Sequence, residues 1–233
     1  MDVTSKVLLK LGLIKEINMK KWIFFDAMGV LFIVGDDTND LLVPFVKRYN
    51  KQITSEQIVN EYMQTSLGVI SSKQFWENVG LGDLYPDIEI KYLDSQLTLD
   101  QDCLDILKKL KKKYNLGIIS NDVSEWSEFL REKYDLNTFF KLSIISGDVN
   151  LRKPNKEIYE LVGKYNIKYE DCIFIDDRIK NLVPAKDLGF STVYFNREDN
   201  HSLNGFHEID SFLGVENICK KLFHERKEKD YEL

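Results

Sequence analysis

Cysteine is scarce in this chain, and what there is does not pair. Cys103, Cys172 and Cys219 are an odd number, widely spaced, with no CxxC motif. That argues against a disulfide framework and for reduced thiols in a cytoplasmic protein, with Cys103 and Cys172 as plain core residues. No apolar run is long enough to cross a bilayer, so no membrane partner is expected. Basic residues form no stripe interleaved with aromatics, and the formal net charge is −6. Nucleic acid is therefore not an expected partner, and a charged substrate has to be handled locally, by a metal or a few cations. Histidine is absent where a catalytic triad would want it: His201, His207 and His224 all lie beyond the last expected strand, which disfavours Ser-His-Asp chemistry. There is no internal repeat and no low-complexity linker.

What is present suits one sizeable domain, or a domain with a smaller insertion: 233 residues, 43% hydrophobic and 12% aromatic. The first eighteen residues read as a peripheral extension. Val3, Val7, Leu8, Leu11 and Ile14 could line one side of a short helix, but Lys6, Lys10 and Lys15 interrupt the apolar stretch that a signal peptide needs. Trp22-Ile23-Phe24-Phe25 then runs straight into Asp26. A continuous apolar run of this kind reads as a strand buried on both faces, in the middle of a parallel sheet.

Residues 38–98 have a helical texture and no convincing strand, and are expected to be an insertion over the end of that strand. Starts are expected at Ile53-Thr54-Ser55-Glu56, at Ser71-Ser72 and at Pro86. From Leu99 onward helix and strand alternate. Leu116–Ile119, Leu142–Ile145, Cys172–Ile175 and Thr192–Phe195 read as strands. Helices are expected over the Cys103, Leu104, Leu107, Leu110 face, around Trp126, after Lys153-Pro154, and over Asn181–Leu188. This alternation implies right-handed crossovers and a three-layer, doubly wound, mostly parallel α/β sheet.

Three of the strands end in polar groups: Asp26, Ser120-Asn121 and Asp176-Asp177. Lys153, at an expected helix start, can reach the same edge, where open α/β sheets bind their ligands. Each residue also has a bland reading, as a helix cap, a turn or a solvated charge. Together they are coherent. The carboxylates of Asp26 and Asp176 suit Mg²⁺, a hard ion that takes one or two carboxylates and keeps several waters. The hydroxyl of Ser120 and the ammonium of Lys153 suit phosphate oxygens. A carboxylate facing a metal-neutralised phosphoryl group is a competent nucleophile.

The order Asp26-x-x-Gly-Val, Ser120-Asn121, Lys153-Pro154, Asp176-Asp177 resembles the four motifs of the haloacid dehalogenase-like (HAD) superfamily, over roughly Trp22 to Phe195. Phe-Ile-Asp-Asp-Arg-x-x-Asn at 174–181 is similar to the last motif of members that hydrolyse small phosphate esters. The resemblance implies a core of residues 19–37 and 99–233 with a helical cap at 38–98. It implies Asp26 as nucleophile, forming an aspartyl-phosphate, and Mg²⁺ held by Asp26, the main-chain carbonyl of Met28 and Asp176, with Asp177 acting through water. Ser120, Asn121 and Lys153 are the implied phosphate-binding residues, with Ser120 and Lys153 also catalytic, and Asn121 and Asn181 candidates for orienting roles. The implied partner is a small phosphorylated metabolite, such as a sugar phosphate.

One position departs from the pattern. Phosphatases of this superfamily usually carry a second Asp two residues after the nucleophile, as acid and base; here it is Met28. Losing a positioned proton donor commonly costs about 10²- to 10⁴-fold in rate. Asp36, Asp37 or Asp122 could stand in, or the leaving group could need little help. The alternatives are a weakly active protein that binds a phosphorylated ligand, or a metal-free 2-haloacid dehalogenase. The last sits badly with the adjacent acids Asp176 and Asp177, and Arg48 is the one arginine between 38 and 98. Tyr62, Met63, Phe75 and Trp76 are candidate substrate selectors, with burial in the core of the insertion as the plainer reading of each.

Overall fold

The structure, a computed structural model, describes residues 20–197 and 205–231. The expectation for residues 1–18 lies outside that range. Strand β1 (Trp22–Phe25) is central, paired in parallel with β2 (Asn115–Ser120) on one side and β4 (Cys172–Asp176) on the other. With β3 (Phe140–Ile145), β5 (Ser191–Phe195) and β6 (His207–Ile209) the described residues form a six-stranded sheet, order β3-β2-β1-β4-β5-β6, with every pairing parallel. Strand β6 was not expected. It places His207 in the sheet rather than beyond it, at the edge away from β1.

The strand side chains alternate between two cores, so each face of the sheet is dry. Ile23 and Phe25 pack with Ile118, Ile173, Ile175 and Val193 against Cys103, Leu107, Trp126 and Val215. Phe24 packs with Ile119, Ile144 and Phe174 against Ile158, Tyr159, Val162 and Leu182 on the opposite face. Burying one such side chain contributes roughly 1.5–3 kcal/mol, which is why this apolar run takes the centre. The helix at Cys103–Leu110 turns Ile106 inward in place of the expected Leu104, which is only partly buried.

Between β1 and β2 the chain is helical: α1 (Val43–Tyr49), α2 (Ser55–Ser66), α3 (Ser72–Asn78) and α4 (Asp87–Gln96). Their starts follow local chemistry. Thr54 and Gln57 form a reciprocal capping box, and the Ser71 hydroxyl accepts from Gln74 N at 3.2 Å. The chain leaves and re-enters the sheet region along two strands of one short ribbon: Phe32 bridges Leu99 antiparallel, Ile33 N donates to Thr98 O and Asp100 N to Leu31 O. Arg197, just past β5, clamps this junction. It donates to the carbonyls of Gly29 and Val30 at 3.0 and 2.7 Å and to Asp100 at 2.6 Å.

The inserted helices pack closely on the sheet-bearing part. Trp126, on α5 (Ser124–Lys133), is buried among Tyr62, Phe75, Trp76 and Tyr92 of the insertion, with ring centroids 5.3–6.1 Å apart. Polar contacts rim this cluster: Asn150 Nδ2 donates to Leu67 O at 2.9 Å, Tyr134 to Leu97 O at 2.9 Å, and Arg152 to the Ser66 hydroxyl.

Candidate active site

Register sets the site. Phe25 is level with both Ile118 and Ile175, so the residues just beyond share one edge of the sheet. Asp26 N donates to Ile175 O at 2.9 Å, which carries the β1–β4 pairing one step further and sets Asp26 beside Asp176. Lys153 Nζ lies between them, 2.7 Å from Asp26 Oδ2 and 2.7 Å from Asp176 Oδ2. Ser120 ends β2, with its hydroxyl buried and unpartnered. Asp26, Asp176 and Asp177 bring one carboxylate oxygen each within 4.8 Å of one another.

Lys153 reaches this edge from a loop, not from a helix start. The helix begins at Lys156, with Asn155 as its cap, so Pro154 lies ahead of the first turn rather than inside it. The loop is held by Asn121. Its side-chain oxygen accepts from Lys153 N at 2.8 Å, and its amide donates to Lys153 O at 2.9 Å. Asn121 therefore orients the Lys153 loop with its side chain and also lines the cavity beside it. Asn181 does the same for Asp176, donating to both oxygens at 3.0 and 3.1 Å.

Asp177 is placed by glycine. Gly29 has φ +77°, and a Cβ there would lie 2.2 Å from Asp177 Oδ2; a Cβ on Gly35 would lie 2.4 Å from the same atom. Two chain segments without side chains thus leave room for one carboxylate.

The electrostatics are unbalanced. Burial pushes the Asp176 carboxyl up, with Lys153 pulling it down and Asp26 and Asp177 pushing further up. Asp177 is raised by burial and by Asp26, against Arg178 and Lys153. Burial works against the charge on Lys153, yet Asp176 and Asp26 outweigh it and hold the ammonium protonated. Three crowded carboxylates share one ammonium in direct contact, with Arg178, which donates to the Gly35 carbonyl at 2.6 Å, as a second cation acting on Asp177 and Asp26. The oxygens Asp177 Oδ1 and Asn181 Oδ1 are buried without a partner. A divalent cation bound by oxygens fits this donor set.

A cavity of about 200 Å³ opens beside Asp26 and Lys153, while Asp177 lines a neighbouring one with Gly29, Gly35 and Arg178. Asp26, Met28, Asn121, Lys153 and Asn181 form the floor of the first, and Tyr62 and Met63 of α2 form part of its wall with Arg152 and Arg178. Of the four expected selectors, Tyr62 and Met63 reach the cavity, while Phe75 and Trp76 are fully buried in the aromatic cluster and do not line it. Arg152, Arg178 and Thr38 also line it and were not singled out from sequence; only their place in the fold marks them. Arg48 is elsewhere, bonded to Gln96 at 3.0 Å and lying over Phe45.

A parallel doubly wound sheet with acids at the ends of β1 and β4, a lysine between them and helices inserted after the first acid defines one class of α/β protein. The chain belongs to the haloacid dehalogenase-like hydrolases, whose family model matches residues 23–195. Among curated relatives, the D-ribitol-5-phosphate phosphatase of Bacteroides thetaiotaomicron is 28% identical over 193 residues, covering 75% of this chain and 91% of that protein. The pyrimidine 5'-nucleotidase YjjG of Escherichia coli is 29% identical over 221 residues, covering 82% and 97%. A HAD family enzyme from Bacteroides thetaiotaomicron, solved in complex with magnesium and inorganic phosphate, superposes with a TM-score of 0.66 at 23% identity, covering 78% of this chain and 98% of that one.

Proposed function

We propose that the protein is a Mg²⁺-dependent phosphohydrolase of small phosphorylated metabolites, sugar phosphates among them, working through an aspartyl-phosphate on Asp26. The observation that carries this is the cluster of Asp26, Asp176 and Asp177 around Lys153, short of positive charge and beside the unpartnered Ser120 hydroxyl. In this reading Asp26, the Met28 carbonyl and Asp176 hold Mg²⁺, with Asp177 contributing through water. Bound there, the ion neutralises the phosphoryl oxygens and lowers the barrier to attack by an anion. Asp26 attacks phosphorus with the oxygen not held by the Ala27 amide (Ala27 N to Asp26 Oδ1, 2.6 Å). Lys153 and Ser120 bind the phosphoryl oxygens, and Asn121 and Asn181 hold Lys153 and Asp176 in place. Phosphoryl transfer depends mainly on such positioning and charge neutralisation.

Residues 38–98 serve as the cap in this reading, over a core of residues 19–37 and 99–233, with Tyr62 and Met63 as selectors and water excluded over the strand ends. A cytoplasmic location accords with the three free thiols, and no described helix is long and apolar enough to cross a membrane. A second reading, a weakly active binder of a phosphorylated ligand, is favoured by one observation: Met28 lines the cavity and can neither give nor take a proton. A dehalogenase ranks last, since the clustered acids suit a metal and Arg48 is remote from the cavity; the fold alone does not separate these activities.

The test is phosphate release from a panel of phosphorylated metabolites with Mg²⁺ or with EDTA, alongside chloride release from 2-chloropropionate. Mg²⁺-dependent phosphate release that Asp26→Asn abolishes, with an unchanged circular dichroism spectrum, is the expected result. Turnover surviving in Asp26→Asn removes the nucleophile assignment, and metal-free chloride release replaces the reading.

A further inference from the structure

We propose that Asp37 takes the place left empty at Met28: it gives its proton to the leaving oxygen and later takes one from the attacking water. This rests on the phosphohydrolase reading and names the residue that completes it. The candidates can be sorted by position. Asp122 does not line the cavity, and its carboxylate accepts from the Val123 amide at 2.8 Å. Asp36 is exposed and accepts from both the main chain and the side chain of Asn39. Lys153 is fixed as an ammonium between two carboxylates, Arg152 and Arg178 do not deprotonate, and Tyr62 is held protonated by burial.

Asp37 differs from all of these. It lines the cavity together with Asp26, Met28 and Lys153 but is only 7% exposed. It stands before the helical turn that starts at Thr38 without a capping bond into that turn, its carboxylate taking only the adjacent Thr38 amide, so the side chain is not spent on holding the helix. Burial pushes its carboxyl up to about 7, with Arg178 pulling down and Asp36 and Asp26 pushing up; Tyr62, Tyr92 and Asp122 are the other titratable groups that feel it. Both protonation states are then populated near neutral pH, as a group that must act first as acid and then as base requires.

The steps balance. An Asp26 oxygen bonds to phosphorus while the bond from phosphorus to the ester oxygen breaks, and the Asp37 proton goes to that oxygen, releasing the alcohol. Asp37, now a carboxylate, takes a proton from water as the water oxygen attacks phosphorus. The Asp26–phosphorus bond breaks, inorganic phosphate leaves, and Asp26 is again a carboxylate and Asp37 again protonated.

The experiment compares kcat/KM on 4-nitrophenyl phosphate, whose leaving group needs no proton, with that on glycerol 2-phosphate, whose leaving group does, both with Mg²⁺. Asp37→Asn should lose about 10²- to 10⁴-fold on the alkyl ester and under about tenfold on the aryl ester, since kcat/KM reports the first transfer. Met28→Asp placed in the Asp37→Asn background should recover alkyl turnover. In the wild type, the fall of kcat/KM on the alkaline side of pH 7 should appear with the alkyl ester and not with the aryl one, a readout that needs no variant to fold. Equal losses on both esters, or identical wild-type profiles, overturn Asp37 as the acid while leaving the phosphohydrolase standing. Wild-type protein that hydrolyses neither ester, nor any metabolite of the panel, overturns both.

Discussion

Trp126 donates its indole N–H to Glu89 Oε2 at 2.7 Å, and Trp76 donates to the same oxygen at 2.8 Å. One carboxylate of the insertion thus satisfies two indoles, one from each side of the seam. Glu89→Ala leaves both donors without an acceptor in an apolar cluster, at about 1–3 kcal/mol for each. A loss of at least about 2 kcal/mol in urea unfolding is expected. A change below about 0.5 kcal/mol would mean that water replaces the carboxylate and that the seam rests on ring packing alone.

Lys153→Met should be among the most damaging single changes in the absence of metal. It leaves Asp26 and Asp176 facing each other, buried, with no cation between them. Breaking a buried pair in this way costs about 3–5 kcal/mol. Mg²⁺ should restore part of the loss, so the midpoint gained on adding Mg²⁺ should be larger in the variant than in the wild type. Equal gains would show that the ion does not bind between these carboxylates.

Gly29→Ala tests how Asp177 is seated. The positive φ alone costs about 1–3 kcal/mol for a residue with a side chain, and the new methyl group collides with Asp177 Oδ2. Mg²⁺ affinity by calorimetry should fall with the stability. Unchanged affinity would remove Asp177 from the ion's surroundings.

Asp37 should leave a signature in stability as well as in rate. Its carboxyl titrates at about 7 when folded and near its ordinary 3.8 when unfolded. Between those values the folded state holds more protons, so its contribution falls as pH rises from about 4 to about 7. Urea unfolding in EDTA across that window should show a steeper loss for the wild type than for Asp37→Asn. Parallel slopes would place the Asp37 carboxylate in water.

The strands bearing the site were legible because each is a short apolar run stopped by a polar residue, and in a parallel sheet those stops fall on one edge. The capping box of α2 and the Ser71 cap of α3 were legible for a local reason too, as a hydroxyl reaches an amide three residues away. What sequence did not disclose depends on tertiary position. Strand β6, three residues long, has too few positions for a period. Nothing in the sequence says that Asn121 grips the Lys153 loop, that Trp126 enters the insertion, or that Phe75 and Trp76 turn away from the cavity while Tyr62 and Met63 face it. Asp37 stood equal with Asp36 and Asp122 until burial and the cavity wall separated the three.

Arg197 holds Gly29, Val30 and Asp100 in one grip. Through this guanidinium, the Phe32–Leu99 ribbon that joins the inserted helices to the sheet is tied at Asp100 to the turn that follows Asp26. On the phosphohydrolase reading, the seating of the inserted helices and the alignment of Asp26 then share a single lever.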